Sequence, residues 1–99
     1  MPRQFDLYRT AEGSLVLVLQ SDLLDDLATR AVCLALPEKA GPQALAALSP
    51  VLCAGDLRVR IVPHLLATLT LAELGLRVAN LSHERDHIIR SMDLMLTGS

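Results

Sequence analysis

His83, Glu84 and His87 spell a literal H-E-x-x-H, the spacing at which two histidines one helical turn apart bind zinc while the glutamate activates a water. No third ligand stands at a familiar spacing. Asp93 is the only acidic residue further along the chain, and its helical angle differs. His64 would reach the site only through a coincidence of fold. The motif also opens what reads as the terminal helix, where Glu84 and Asp86 put negative charge in the first turn and the helix dipole favours it. A solvated helix start accounts for the pattern better than hydrolysis does. Arg58, Arg60 and His64 are a second cluster, since phosphate transesterification in a ribonuclease needs an acid, a base and a cationic stabiliser. Arginines alternating along an exposed strand are far more often there for solvation. Cys33 and Cys53, the only cysteines, both fall in apolar strand-like runs, where a thiol behaves as a small buried hydrophobe. Two lone cysteines make a poor zinc site, and a disulfide needs an oxidising compartment. No catalytic residue, metal or cofactor is expected.

Leu23 and Leu24, flanked by Asp22 and Asp25, form a third constellation. Two apolar side chains projecting from an acidic loop would suit a protein-binding anchor. Leu23, Leu24 and Leu27 equally fit one turn of an amphipathic helix packed on the core. On residue types alone the packed reading is the better supported.

The elements that must position these residues are mostly strands. Phe5 to Tyr8 reads as a strand, Ala11 to Ser14 as a turn, and Leu15 to Leu19 as a second strand whose unbroken apolar run predicts burial on both faces. The acidic stretch Ser21 to Asp26 interrupts the pattern before a strand over Ala31 to Leu36, and Pro37, Gly41 and Pro42 mark a loop. Ala44 to Leu48 could form a short helix that Pro50 stops. Val51 to Cys53, a turn at Ala54-Gly55-Asp56, and Leu57 to Val62 make a second hairpin. In its outgoing arm Leu57, Val59 and Ile61 point one way, Arg58 and Arg60 the other. Leu65 to Leu71 and Leu74 to Val78 are further strand candidates. Ser82 is a suitable N-cap for a helix over His83 to Leu96, with apolar positions at Leu81, Ile88, Met92 and Met95. The expected fold class is therefore mostly β with one C-terminal α-helix. Met92, Met95 and Leu96 leave an apolar stripe that predicts a homodimer using that helix.

Ninety-nine residues suit one hydrophobic core, so a single domain over residues 1–99 is expected. The chain is 52% hydrophobic but only 2% aromatic, Phe5 and Tyr8 being the whole supply, so the core must be aliphatic. A formal charge of -2 and an isoelectric point near 5.8 offer neither the basic groove nor the stacking platforms that hold single-stranded nucleic acid. The longest apolar run, Ala31 to Leu36, is far short of the ~18 residues of a membrane-spanning helix, as is Leu15 to Leu19. It is also too short for a signal-peptide core. A reduced, cytoplasmic protein with no direct nucleic-acid or membrane partner is the expectation.

Taken in order, Gln20-Ser21-Asp22-Leu23-Leu24-Asp25, Pro50-Val51-Leu52 with Gly55-Asp56, Val78-Ala79-Asn80-Leu81-Ser82-His83, and Asp93-Leu94-Met95 resemble the CcdB toxin family. The most specific piece runs from Val78 through the terminal helix, which is similar to the family's V-A-D-L-S-H and its following helix ending in L-M. The resemblance implies a toxin of a toxin–antitoxin module that binds the A subunit of DNA gyrase, or a related topoisomerase, and traps its cleaved-DNA complex without being an enzyme. It implies a homodimer with a twisted antiparallel sheet packed against the C-terminal helix, the CcdB/MazF-like (SH3-like barrel) fold shared with the MazF and Kid ribonucleases. By motif, Ser21, Leu23 and Leu24 match the loop that meets gyrase and overlaps the antitoxin surface. Asp93 takes the position of the family's Asn and Leu96 that of a Phe. The family's terminal W-G-I reads Thr97-Gly98-Ser99 here, so of the tail that supplies toxicity only the Gly remains.

Three functions follow from different classes. The first is a toxin subunit with gyrase and a cognate antitoxin as partners. The second is a CcdB-fold homologue that binds an antitoxin but no longer poisons gyrase. The third is a ribonuclease, resting on fold analogy alone.

Overall fold

The computed structural model describes residues 1–38 and 48–98. Of the expected Ala44 to Leu48 helix only Leu48, in a turn, belongs to them, and Gly41, Pro42 and Ser99 lie outside the described residues.

The first hairpin forms from β1 (Asp6–Arg9) and β2 (Leu15–Val18), joined by the expected turn. All four residues of β2 are buried, because Leu15 and Leu17 face one cluster while Val16 and Val18 face another. β3 (Thr29–Pro37) lies against β2, and β4 (Val51–Ala54) turns at Gly55-Asp56 into β5 (Leu57–Thr70). The sequence divides this last stretch into two strands, but it runs as one. Cys33 pairs with Leu66 and the next residue, Leu34, pairs with Val62, so Pro63, His64 and Leu65 are extra on the β5 side. Proline has no N–H to give a ladder, and a bulge is where a strand tolerates it.

β5 ends where Thr70 and Glu73 close a capping box. Glu73 Oε1 accepts the Thr70 N–H at 2.8 Å and Thr70 Oγ1 accepts the Glu73 N–H at 3.2 Å. The box starts a single helical turn, α1 (Leu71–Leu74), which buries Leu74. The strand expected over Leu74 to Val78 therefore begins later, as β6 (Leu76–Asn80). Gly75 makes the junction, at φ 84°, and a Cβ there would lie 2.2 Å from the Arg9 carbonyl oxygen. β6 then pairs with β1, where the buried Asp6 carboxylate accepts Arg77 Nε at 3.1 Å, Asn80 Nδ2 at 2.8 Å and the Arg3 N–H at 2.9 Å.

The result is a six-stranded antiparallel curled sheet in the order β4-β5-β3-β2-β1-β6. The terminal helix α2 (Arg85–Thr97) follows a 3-10 turn over Ser82–Glu84. Ser82 does not cap it. The Ser82 N–H is held by Asn80 Oδ1, and the N-cap position is Glu84, which makes no side-chain cap bond. Leu81 and Ile88 enter the main cluster beside Leu7, Leu17, Leu52 and Ile61. Met92, read as part of an outer stripe, packs against that cluster too. Ile89 and Leu96 stay exposed. The smaller cluster of Tyr8, Val16, Val18, Val32 and Leu74 lies on the opposite face, under α1. Among the described residues no helix is long and apolar enough to cross a membrane.

Candidate functional site

The segment between β2 and β3 is short of core-forming partners and rich in hydrogen-bonding side chains. Ser21 Oγ accepts the Leu23 N–H at 3.1 Å and starts a 3-10 turn over Asp22–Leu24. The Asp22 carboxylate reaches back to the N-terminal segment, taking the Gln4 N–H at 2.8 Å and the Arg3 guanidinium at 3.0 Å. Gln20 braces the other side, its Oε1 accepting the Ala31 N–H at 3.0 Å while Nε2 donates to the carbonyls of Leu24 and Thr29. With its backbone fixed in this way, the loop turns its leucines outward. Leu23 is 92% exposed and Leu24 and Leu27 are 50% exposed. The packed amphipathic turn that residue types favoured is therefore not what forms. The inward position is taken by Arg30, which is buried.

The other residues matched to the gyrase contact stand at the end of α2. Asp93 is exposed and lines a groove of about 510 Å³ along the outer helix face with Arg85, Ile89 and Arg90. Leu96 is 69% exposed. Thr97 Oγ1 donates to the Asp93 carbonyl at 2.8 Å, so its hydroxyl is turned back onto the helix. Gly98 caps the helix in the left-handed region at φ 76°, its N–H donated to the Leu94 carbonyl at 2.9 Å. The loop and the tail thus belong to different elements, and Ser99 lies outside the described residues.

Of the H-E-x-x-H residues, His83 and Glu84 are engaged with β4 and His87 with Glu84. Glu84 Oε2 accepts the Cys53 N–H at 2.9 Å, His83 Nε2 lies 2.5 Å from the Cys53 carbonyl, and His87 Nδ1 lies 2.9 Å from Glu84 Oε1. The Cys53 amide first, then His87, hold the Glu84 carboxyl below its ordinary value. Among the described residues no group of three His, Cys, Asp or Glu side chains could hold a metal ion. In the ribonuclease-like trio each arginine has a partner of its own. Arg58 grips both Glu38 carboxylate oxygens, at 2.7 and 3.0 Å, which raises its pKa. Arg60 donates to the Ser49 carbonyl at 2.6 Å, and His64 is exposed on the bulge. Cys33 is buried, which pushes its thiol up to about 12, and Cys53 is half-buried.

Residue patterns missed Arg30, Gln4 and the bracing role of Gln20. A polar residue at a strand end reads as solvated, and only its distant carbonyl partners show otherwise.

A family model described as "CcdB protein" matches residues 4–98. The structure is similar to one described as "Endoribonuclease from Mycobacterial species", with a TM-score of 0.79 and 14% identity, covering 96% of this chain and 90% of that one. It is also similar to "Endoribonuclease in complex with its cognate antitoxin from Mycobacterial species", with a TM-score of 0.78 and 15% identity, covering 97% and 95%. At these identities the likeness is one of fold. No curated protein matches the chain.

Proposed function

The chain belongs to the CcdB family, and from that premise we propose that it is the toxin subunit of a toxin–antitoxin module, docking on the A subunit of DNA gyrase and restrained by a cognate antitoxin. The observation that carries this reading is Leu23, 92% exposed on a loop whose backbone is braced on both sides. A large apolar side chain held out by a rigid turn gains about 1.5–3 kcal/mol when a partner covers it. A braced loop also loses little freedom on binding. Ser21, Leu23 and Leu24 supply the surface shared by gyrase and antitoxin. Asp93, Leu96, Thr97, Gly98 and Ser99 supply the second gyrase contact. The acidic surroundings of the leucines favour a basic antitoxin segment. The working form is a cytoplasmic homodimer.

Poisoning is weak in this reading. Thr97 stands where the family places Trp, and its hydroxyl is spent on the Asp93 carbonyl. The competing reading, an endoribonuclease, is favoured by the likeness of fold. Against it, the guanidinium groups of Arg58 and Arg60 are already engaged by Glu38 and Ser49. Two incubations decide between them. With purified gyrase and supercoiled DNA, cleavage complexes accumulating slowly and only at high protein concentration are expected. With total RNA, no cleavage is expected, and fragmentation that survives Leu23→Asp but not Arg58→Ala would establish the ribonuclease instead.

A further inference from the structure

The least expected side chain in the molecule is Arg30, at the start of β3. It is 2% exposed, and it pairs with no carboxylate among the described residues. Its guanidinium is instead spent on backbone carbonyls. Nη1 donates to Leu27 at 2.7 Å and to Thr29 at 2.9 Å, Nη2 to Asp25 at 3.2 Å, and Nε to Pro2 at 3.4 Å. A buried cation is costly unless its donors are fully used. Here each acceptor belongs either to the loop that carries Leu23 and Leu24 or to the segment behind it. Pro2 precedes Arg3 and Gln4, which hold Asp22 from the other side. One guanidinium is therefore bonded to the returning half of the loop and, through the N-terminal segment, connected to its leading half.

We propose that Arg30 is the positioning residue of the docking loop: it holds the Asp25, Leu27 and Thr29 carbonyls inward, and that fixes Leu23 and Leu24 outward in the geometry a partner meets. The partner-binding part of this rests on the reading of the loop given above. Arginine is required because its planar fork serves several acceptors at once, whereas a lysine ammonium on a flexible stem cannot span carbonyls set around a plane. Preorganisation of this kind acts on affinity, since a loop already ordered loses less freedom on docking.

The test compares Arg30→Lys with Leu23→Asp. In Arg30→Lys, amide hydrogen exchange at Leu24, Asp25 and Leu27 rises at least 10-fold while amides of β2 and of the first half of β5 keep their protection, and affinity for purified gyrase A subunit from the same host falls about 10-fold. Unchanged loop exchange, or an equal rise throughout the sheet, overturns the proposal. So does unchanged affinity in Arg30→Lys alongside a loss in Leu23→Asp. If neither variant changes affinity, the docking reading of the loop fails, and the exchange data still decide whether Arg30 positions it. Should Arg30→Lys not fold, exchange of the Arg30 Nε–H in the unaltered protein is decisive. It opens together with the Leu27 amide if the proposal holds, and as fast as that of exposed Arg90 if it does not.

Discussion

Glu84 accepts the backbone N–H of Cys53 at 2.9 Å, and this bond fastens the head of α2 to the edge strand β4. Because the bond lowers the Glu84 pKa from its ordinary 4.5, the carboxylate is stabilising in its charged form. A depressed folded-state value places that contribution fully above the unfolded pKa, and it is lost as pH falls through the folded one. Urea midpoints measured from pH 6 downward should drop more steeply for the wild type than for Glu84→Gln. At pH 7, Glu84→Ala should cost about 1–2 kcal/mol, the price of an orphaned amide.

Gly75 is irreplaceable for two separable reasons. Alanine there meets the Arg9 carbonyl at 2.2 Å and must also hold φ 84°, whereas Gly55, at φ 61°, has open space around a new Cβ. Gly75→Ala should lose more than ~2 kcal/mol and Gly55→Ala about 1. Thermal melts of the two variants would show the difference, and equal losses would mean that only backbone conformation matters at Gly75.

Leu23→Asp should leave stability within about 0.5 kcal/mol of wild type, as expected for a side chain that touches little of its own fold. The same change, or Leu24→Asp, should weaken antitoxin binding by more than ~2 kcal/mol in calorimetry. A folded variant with full affinity would remove these leucines from the docking surface.

Thr97→Trp should strengthen binding to gyrase A subunit by about 30-fold to 1,000-fold, corresponding to ~2–4 kcal/mol for a buried aromatic anchor. Gly98 already supplies the left-handed residue that ends the helix. Surface plasmon resonance with wild type and variant gives the ratio directly, and no gain would show that the tail is not the missing contact.

Light scattering at micromolar concentration should give twice the 10.7 kDa chain mass. Leu96→Asp, at a position 69% exposed on α2, should shift the protein toward monomer without altering its circular dichroism. An unaltered dimer would place the interface elsewhere.

Much of the sheet was legible in the sequence because its signals are local. The unbroken Leu15-to-Leu19 run, the turn read at Ala54-Gly55-Asp56 and the Leu57, Val59, Ile61 alternation each produce the element they predict, to within a residue. Where the reading failed, two local signals competed or a distant partner won. Thr70 and Glu73 spell a capping box, yet the surrounding leucines and threonines read as strand. Ser82 has the right chemistry for a cap, but Asn80 holds its amide and Cys53 draws Glu84 away. At Leu23 and Leu24 the residue types favoured packing, and the outward orientation follows from distant bonds, since the buried side chain there is Arg30 and not a leucine. Nothing near Arg30 in sequence announces four carbonyl acceptors, one of them on Pro2.

The pairing of β6 with β1 also governs how the protein emerges from the ribosome. Asp6 meets Arg77 and Asn80 only after those residues have been synthesised, so until then the outer edge of β1 has no strand beside it and the Asp6 carboxylate lacks these two partners. Joining segments so distant along the chain requires a large loop to close before any contact rewards it. The sheet is therefore completed late, and the nascent chain carries an open β edge until then. A partner already waiting at the ribosome would find that edge available, and one arriving later would find it sealed.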